Sequence, residues 1–276
     1  GRSRASPQDL SAKTEQVEKP GLRNVANLGI VSLFTDISTE MILGVLPLFV
    51  VTELGATKAL LGLMEGAAES LNYVFRTLSG IFSDRIARRK PLVLLGYALS
   101  TVAKPFFSLA QSFTDAFAIR LTDRAGKGIR TSPRDALISD SVKAERSGRA
   151  FGLHRAIDQV GAIVGPVLAF LLIPLVGMRG LFLASLVPGT IALFVLVLLV
   201  RYKRGMRKST GLAKNAKTVL NRKFASFLVV IGIFALGAYN FSFVLVKASA
   251  LGVDPTAIPL VYATLNAATV LAGLPA

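Results

Sequence analysis

Residues 180–200, GLFLASLVPGTIALFVLVLLV, carry no charged side chain over the length a helix needs to cross about 30 Å of hydrocarbon. Such a run offers water no polar face. Apolar segments of similar length recur along the chain, and their spacing predicts helices near 25–50, 59–80, 91–110, 115–138, 150–172, 180–200, 224–246 and 258–276. Composition agrees, with 52% hydrophobic and only 17% charged residues, where a soluble domain has about a quarter charged. The expected fold class is all-α and transmembrane. Residues 1–23 form a polar tail, 24–200 an N-terminal six-helix bundle, 201–223 a basic linker and 224–276 the first helices of a C-terminal bundle. Because the last segment ends in an apolar run, further spans are expected to follow it.

The formal net charge of +16 is distributed by topology. Arg85, Arg88, Arg89 and Lys90 fall in one gap, Lys143, Arg146 and Arg149 in another, and the linker is basic throughout. The intervening gaps on the other side are nearly bare. That asymmetry places the N-terminus and the basic loops in the cytoplasm of a multi-pass protein, with a bacterial inner membrane as the expected location. Anionic lipid headgroups then account for the basic excess, and nucleic acid is not an expected partner. Cysteine is absent and His154 is the sole histidine, so no thiol nucleophile, disulfide or metal cluster is expected. His154 itself is expected to be a hydrogen-bonding group near a helix end.

Charges inside the apolar segments carry the functional information. Asp36 and Glu40 lie four residues apart in the first span, hence on one helix face. Two carboxylates there need a cavity or basic partners, and their mutual repulsion suits a site that takes up a proton. The second span repeats the spacing with Glu65 and Glu69 and adds Arg76, and the third has Lys104 beside Pro105. The fourth span, DAFAIRLTDRAGKGIRTSPRDALISDS, places Arg120, Asp123, Arg124 and Lys127 at helical spacing. Such a helix lines a watery path or lies against acids. The four carboxylates of the first two spans are the candidate neighbours; Arg120 is expected deepest, tuning Asp36 or Glu40, whereas Arg130 and Arg134 are expected to reach toward the aqueous end. Gly126 and Gly128 do not complete a nucleotide-binding loop and are read as points of close helix contact. In the fifth span, Arg155 and Asp158 precede Gly161, Gly165 and Pro166, a smooth face with a bend.

The stretch GIFSDRIARRKP resembles the loop motif G-x-x-x-D-R-x-G-R-R of the major facilitator superfamily, with Gly80, Asp84, Arg85, Arg88 and Arg89 in register and Ala87 replacing the usual glycine. Arg120 resembles the family's fourth-helix arginine. GAIVGP is similar to the fifth-helix motif of its antiporters, although Ala169 and Phe170 stand where a glycine pair often follows. FTDISTEM and DRAGKGIRTSPRDAL together resemble bacterial drug or metal exporter-type permeases. The resemblance implies two six-helix bundles rocking about a central site. It also implies a conformational switch built on the loop motif, with Asp158, Gly161, Gly165 and Pro166 assisting.

The expected activity is proton-coupled secondary transport rather than enzyme catalysis, without a cofactor or an obligate protein partner. Its expected partners are the lipid bilayer, protons and a small-molecule or ion substrate. Efflux of a cationic, metal or amphipathic substrate is the leading expectation. Uptake of an anionic metabolite through a basic cavity is the alternative, and a non-transport scaffold is the reading from another class. The proton-coupling or substrate residues are Asp36, Glu40, Glu65, Glu69, Arg76, Lys104, Arg120, Asp123, Arg124 and Lys127.

Overall fold

The computed structural model describes residues 21–86, 89–202, 222–236 and 240–273, and among these every regular element is helical. Helix α1 (Gly21–Leu43) stops where Pro47 can no longer supply a backbone donor, and continues as a short piece at Leu46–Leu48 and a wide turn at Phe49–Glu53. Gly55, with φ 66°, reverses the chain. Helix α2 is Lys58–Ile86 and α3 is Arg89–Ala103, which tightens into a 3₁₀ turn at Lys104–Leu109 around Pro105. Helix α4 (Phe113–Ser141) starts on a capping box: the Ser112 side chain accepts from the Asp115 N–H, and the Asp115 carboxylate accepts from the Ser112 N–H.

Helix α5 (Ser147–Ala184) is interrupted at Gly177, whose φ of 68° and ψ of 177° no helix accommodates. The break falls inside the predicted gap between the fifth and sixth spans. The residues beyond it run on into α6 (Leu186–Leu199). The single helix expected over 224–246 is instead two elements, α7 (Arg222–Leu236) and α8 (Phe241–Ala250). Asn240 sits in extended backbone, and its side-chain oxygen accepts from the Ser242 N–H, so α8 has its own N-cap. Gly252 (φ 92°) turns the chain toward α9 (Ile258–Gly273). In that turn Asp254 accepts from the Thr256 N–H and hydroxyl, which hold its carboxyl below the usual carboxylate range. Of the expected linker, residues 203–221 lie outside the described residues.

Among the described residues, three helical stretches are long and apolar enough to cross a membrane: 21–53, 89–109 and 144–199. Helices α2 and α4 match them in length but carry too many charges to face lipid all round. The bundle places those charges inward. α4 packs between α2 and α3, while α1 packs on α5 and α6, and α9 leans on α5. Asp123, Arg120 and Lys104 are buried, whereas Leu175 and Leu198 are 79% and 73% exposed. Apolar side chains outside and ions inside reverse the arrangement of a water-soluble bundle.

Close approaches at glycine set these contacts. A Cβ at Gly126 would lie 2.7 Å from the Gly96 carbonyl on α3, and one at Gly128 would lie 2.5 Å from the Asn72 carbonyl on α2. Both positions are the tight helix contacts expected from the sequence. Apolar clusters close the two ends. Phe49, Phe107 and Phe182 stack at one end, and Val25, Leu28, Tyr97 and Leu196 pack at the other.

Candidate functional site

Helix α4 is the spine of the polar interior, because its packing on α2 and α3 leaves its basic face no route to lipid. Two cavities flank it. The first, about 330 Å³, is bordered by Glu40, Glu65, Glu69, Arg120, Arg124, Lys127 and Tyr262. The second, about 410 Å³, lies nearer the α2–α3 turn and is bordered by Asp36, Asn72, Arg76, Lys127, Arg130, Arg134, Asp135, His154, Arg155 and Asp158. Lys127 borders both.

In the first cavity Arg120 donates to Glu65 at 2.7 Å and lies 3.5 Å from Asp123, with all three side chains nearly inaccessible. Asp123 also accepts from the Ser100 hydroxyl, and Lys104 donates to Thr39 at 3.2 Å. Glu69 is more exposed and accepts from Asn72 at 3.0 Å. The Tyr262 hydroxyl, from α9, donates to Glu40 at 2.6 Å. Of the four carboxylates expected as neighbours of this helix, Arg120 takes Glu65 and forms an ion pair with neither Asp36 nor Glu40. Its partners come from α2 and from its own helix, because its place near the start of α4 faces α2 rather than α1.

In the second cavity Asp135 is shared by Arg134 (2.9 Å) and Arg76 (3.7 Å), and Arg155 reaches Asp158 at 3.2 Å. Arg130 does not reach toward water as expected. It is 4% exposed and lies over the Tyr97 ring, 4.6 Å from the centroid, because α3 closes over that side of α4. Arg134 likewise turns inward, toward Asp135 and the Ser32 hydroxyl (3.4 Å). His154 is not a helix-end group but is buried within α5, sharing a hydrogen bond of 3.0 Å with Ser32, which in turn meets the Tyr97 hydroxyl at 3.1 Å.

Asp36 and Glu40 share a face of α1, as their spacing predicts, yet they border different cavities. Beneath them runs the glycine stripe of α5. A Cβ at Gly161 would lie 3.0 Å from Asp36 Cβ, and one at Gly165 would lie 2.9 Å from Glu40 Cβ. The glycines thus let α5 support the two carboxylates directly, with Pro166 buried beside them.

At the loop motif, Asp84 lies 3.4 Å from Arg89, whose guanidinium also pairs with Asp140 and donates to the Ala136 carbonyl at 3.2 Å. Gly80 sits against Ser132 of α4, Arg85 is exposed, and Arg88 falls outside the described residues. Spacing could not indicate Tyr262, Asn72, Arg130, His154 or Asp140. Tyr262, Arg130, His154 and Asp140 each meet a partner on another helix, whereas Asn72 donates to Glu69 on its own. Among the described residues no group of three His, Asp or Glu side chains is arranged to hold a metal ion.

A sequence profile described as Major Facilitator Superfamily matches residues 28–276. The chain belongs to the major facilitator superfamily. It is 31% identical over 238 residues to an uncharacterised MFS-type transporter of Methanocaldococcus jannaschii, covering 86% of this chain and 59% of that relative. It is 27% identical over 154 residues to the multidrug resistance protein MdtL of Shigella flexneri, covering 55% of this chain and 39% of that protein. This chain therefore spans under two thirds of the length of these relatives. Among solved structures, a bacterial homologue of the lysosomal transporter Spinster, inward-facing and occupied, superposes with TM-score 0.72 at 20% identity over 88% of this chain and 57% of that one. A D-xylose–proton symporter superposes with TM-score 0.63 at 16% identity, over 88% and 64% respectively. These likenesses bear on fold, and the fold is that of a major facilitator protein with multiple membrane passes.

Proposed function

We propose that the protein is a proton-coupled secondary transporter working by alternating access, with Asp36 and Glu40 as its proton-exchanging groups. The observation that carries this reading is the layout of the interior: two polar cavities, each bordered by one carboxylate of α1, meet at Lys127. Carboxyls that face polar cavities within a bundle can exchange protons with either side as the bundle rocks. A scaffold has no use for such an interior. The basic segments support a cytoplasmic N-terminus, and a bacterial inner membrane is the proposed location.

The second cavity has five basic side chains (Arg76, Lys127, Arg130, Arg134, Arg155) against three acids (Asp36, Asp135, Asp158). That excess favours a substrate with an anionic group over a cationic one. Efflux of an amphipathic or cationic compound is the second reading, supported by the similarity to MdtL over about half of the chain.

The test is substrate-linked proton movement in proteoliposomes holding the full-length protein, under an imposed pH gradient, with organic anions, lipophilic cations and divalent metals offered in turn. Proton movement that disappears in Asp36→Asn/Glu40→Gln is expected. Undiminished coupling in that double variant ends the proposal.

A further inference from the structure

Lys127 stands between the two points at which α4 is pinned, Gly126 against α3 and Gly128 against α2. Its side chain is thereby left to the third direction, toward α1, where Asp36 and Glu40 lie within its electrostatic reach, while Arg124 and Arg130 of its own helix repel it. Among the described residues neither a hydrogen bond nor an ion pair fixes its ammonium. One turn further along, Arg130 is buried over Tyr97, and its Nη1 finds no hydrogen-bond acceptor among the described residues. A buried guanidinium N–H without an acceptor is costly to maintain unless a ligand supplies one.

The other charges around the second cavity are already satisfied. Arg134 and Arg76 share Asp135, and Arg155 holds Asp158. His154 is occupied by Ser32. What remains is one acid, Asp36, which faces Asp158 of α5 and Glu40 of its own helix as well as Lys127, and two cations, Lys127 and Arg130, around a space of about 410 Å³.

We infer that this cavity binds a small substrate through one anionic group, a carboxylate or a phosphate, held between Lys127 and Arg130, and that a proton taken up by Asp36 releases Lys127 to bind it. The inference rests on the proton-coupled transport reading above and adds to it a substrate class and a direction of coupling. While Asp36 is ionised it competes with the substrate for Lys127. Once a proton from solution has neutralised Asp36, two uncompensated cations face the cavity and the anion completes them. No bond other than that of the transferred proton is made or broken. Proton and anion then travel together as symport, and Glu40 in the other cavity gives Lys127 a second carboxylate to turn to when the anion leaves.

The test measures thermal stabilisation of the purified full-length protein by lactate, succinate and inorganic phosphate, with tetraphenylphosphonium as the cationic control, at pH 5.5 and pH 8. At least one anion is expected to stabilise the protein, and more tightly at the lower pH. Preference between the carboxylates and phosphate identifies the group. Lys127→Gln is expected to weaken that anion at least tenfold, and Lys127→Arg to restore part of the loss. Asp36→Asn is the more searching variant, because it should bind the anion at pH 8 as tightly as the unaltered protein does at pH 5.5. Stabilisation by none of the anions, an affinity in Lys127→Gln within twofold of the unaltered protein, or loss of binding in Asp36→Asn each overturns the inference. If it falls while proteoliposomes still move tetraphenylphosphonium with protons, the transport reading stands. If no solute moves with protons, both fall.

Discussion

Replacing Gly161 by alanine places a methyl group 2.5 Å from the Leu33 carbonyl and 3.0 Å from Asp36 Cβ. Ordinary carbon-to-carbonyl contacts begin near about 3.3 Å, so α5 and α1 must part by roughly 0.8 Å at this point. The Leu33 carbonyl is backbone and Asp36 Cβ is fixed to the backbone, so no rotamer change can clear either contact. Overpacking of this kind costs about 1–3 kcal/mol, while removing a glycine from a helix returns about 0.5–1 kcal/mol. The net expectation is a loss of about 1–2 kcal/mol, and at about 2–4 °C per kcal/mol the thermal midpoint falls by several degrees. Gly152→Ala is the internal control, because it lies on the same helix with nothing within 4 Å of the added carbon. It should hold or slightly raise the midpoint. Circular dichroism at 222 nm on the detergent-purified full-length protein reads both. A Gly161→Ala midpoint equal to that of Gly152→Ala would show that the α1–α5 contact is not as tight as described and would refute the reasoning.

Glu65→Gln leaves the buried Arg120 with a weakened partner, and a loss of about 3–5 kcal/mol is expected. Adding Arg120→Gln should recover part of it, so a thermal double-mutant cycle must show strong non-additivity. Tyr262→Phe removes the 2.6 Å hydrogen bond to Glu40 at a cost of about 0.5–1.5 kcal/mol. Its transport rate in proteoliposomes should therefore change by more than its thermal midpoint suggests, and an unaltered rate would exclude Glu40 from the transport cycle.

Much of the fold was legible because lipid imposes simple rules on a chain. Charge-free runs fixed where helices lie, and small residues at Gly126, Gly128, Gly161 and Gly165 marked where helices touch. The loop motif located the turn between α2 and α3. Partner choice was not legible. Helical spacing says which residues share a face of one helix, but not which face of another helix meets it. Spacing therefore leaves Arg120 four candidate acids on α1 and α2 without choosing Glu65, and it sends Arg130 toward water although Tyr97 of α3 holds it inside. Tyr262 lies 222 residues from Glu40 along the chain, and nothing local announces the contact. The break between α7 and α8 was missed because hydropathy runs straight across Asn240, whose capping role depends on backbone geometry.

Asn24, near the root of α1, donates to the Ser141 hydroxyl at the end of α4 and to the Arg201 carbonyl beyond α6, and its own oxygen accepts from the Arg201 N–H. Two of these bonds rivet the exit of the sixth helix to the base of the first, and the third ties that base to the end of α4. A pull at Arg201 is therefore felt at the foot of α1, and at α3 through Lys90, which donates to the Val197 and Val200 carbonyls. Since α1 is the rod that carries Asp36 and Glu40, the exit of α6 and the two carboxylates are joined by one continuous helix. In the proposed cycle, load would enter this helix at its end and a proton at its middle.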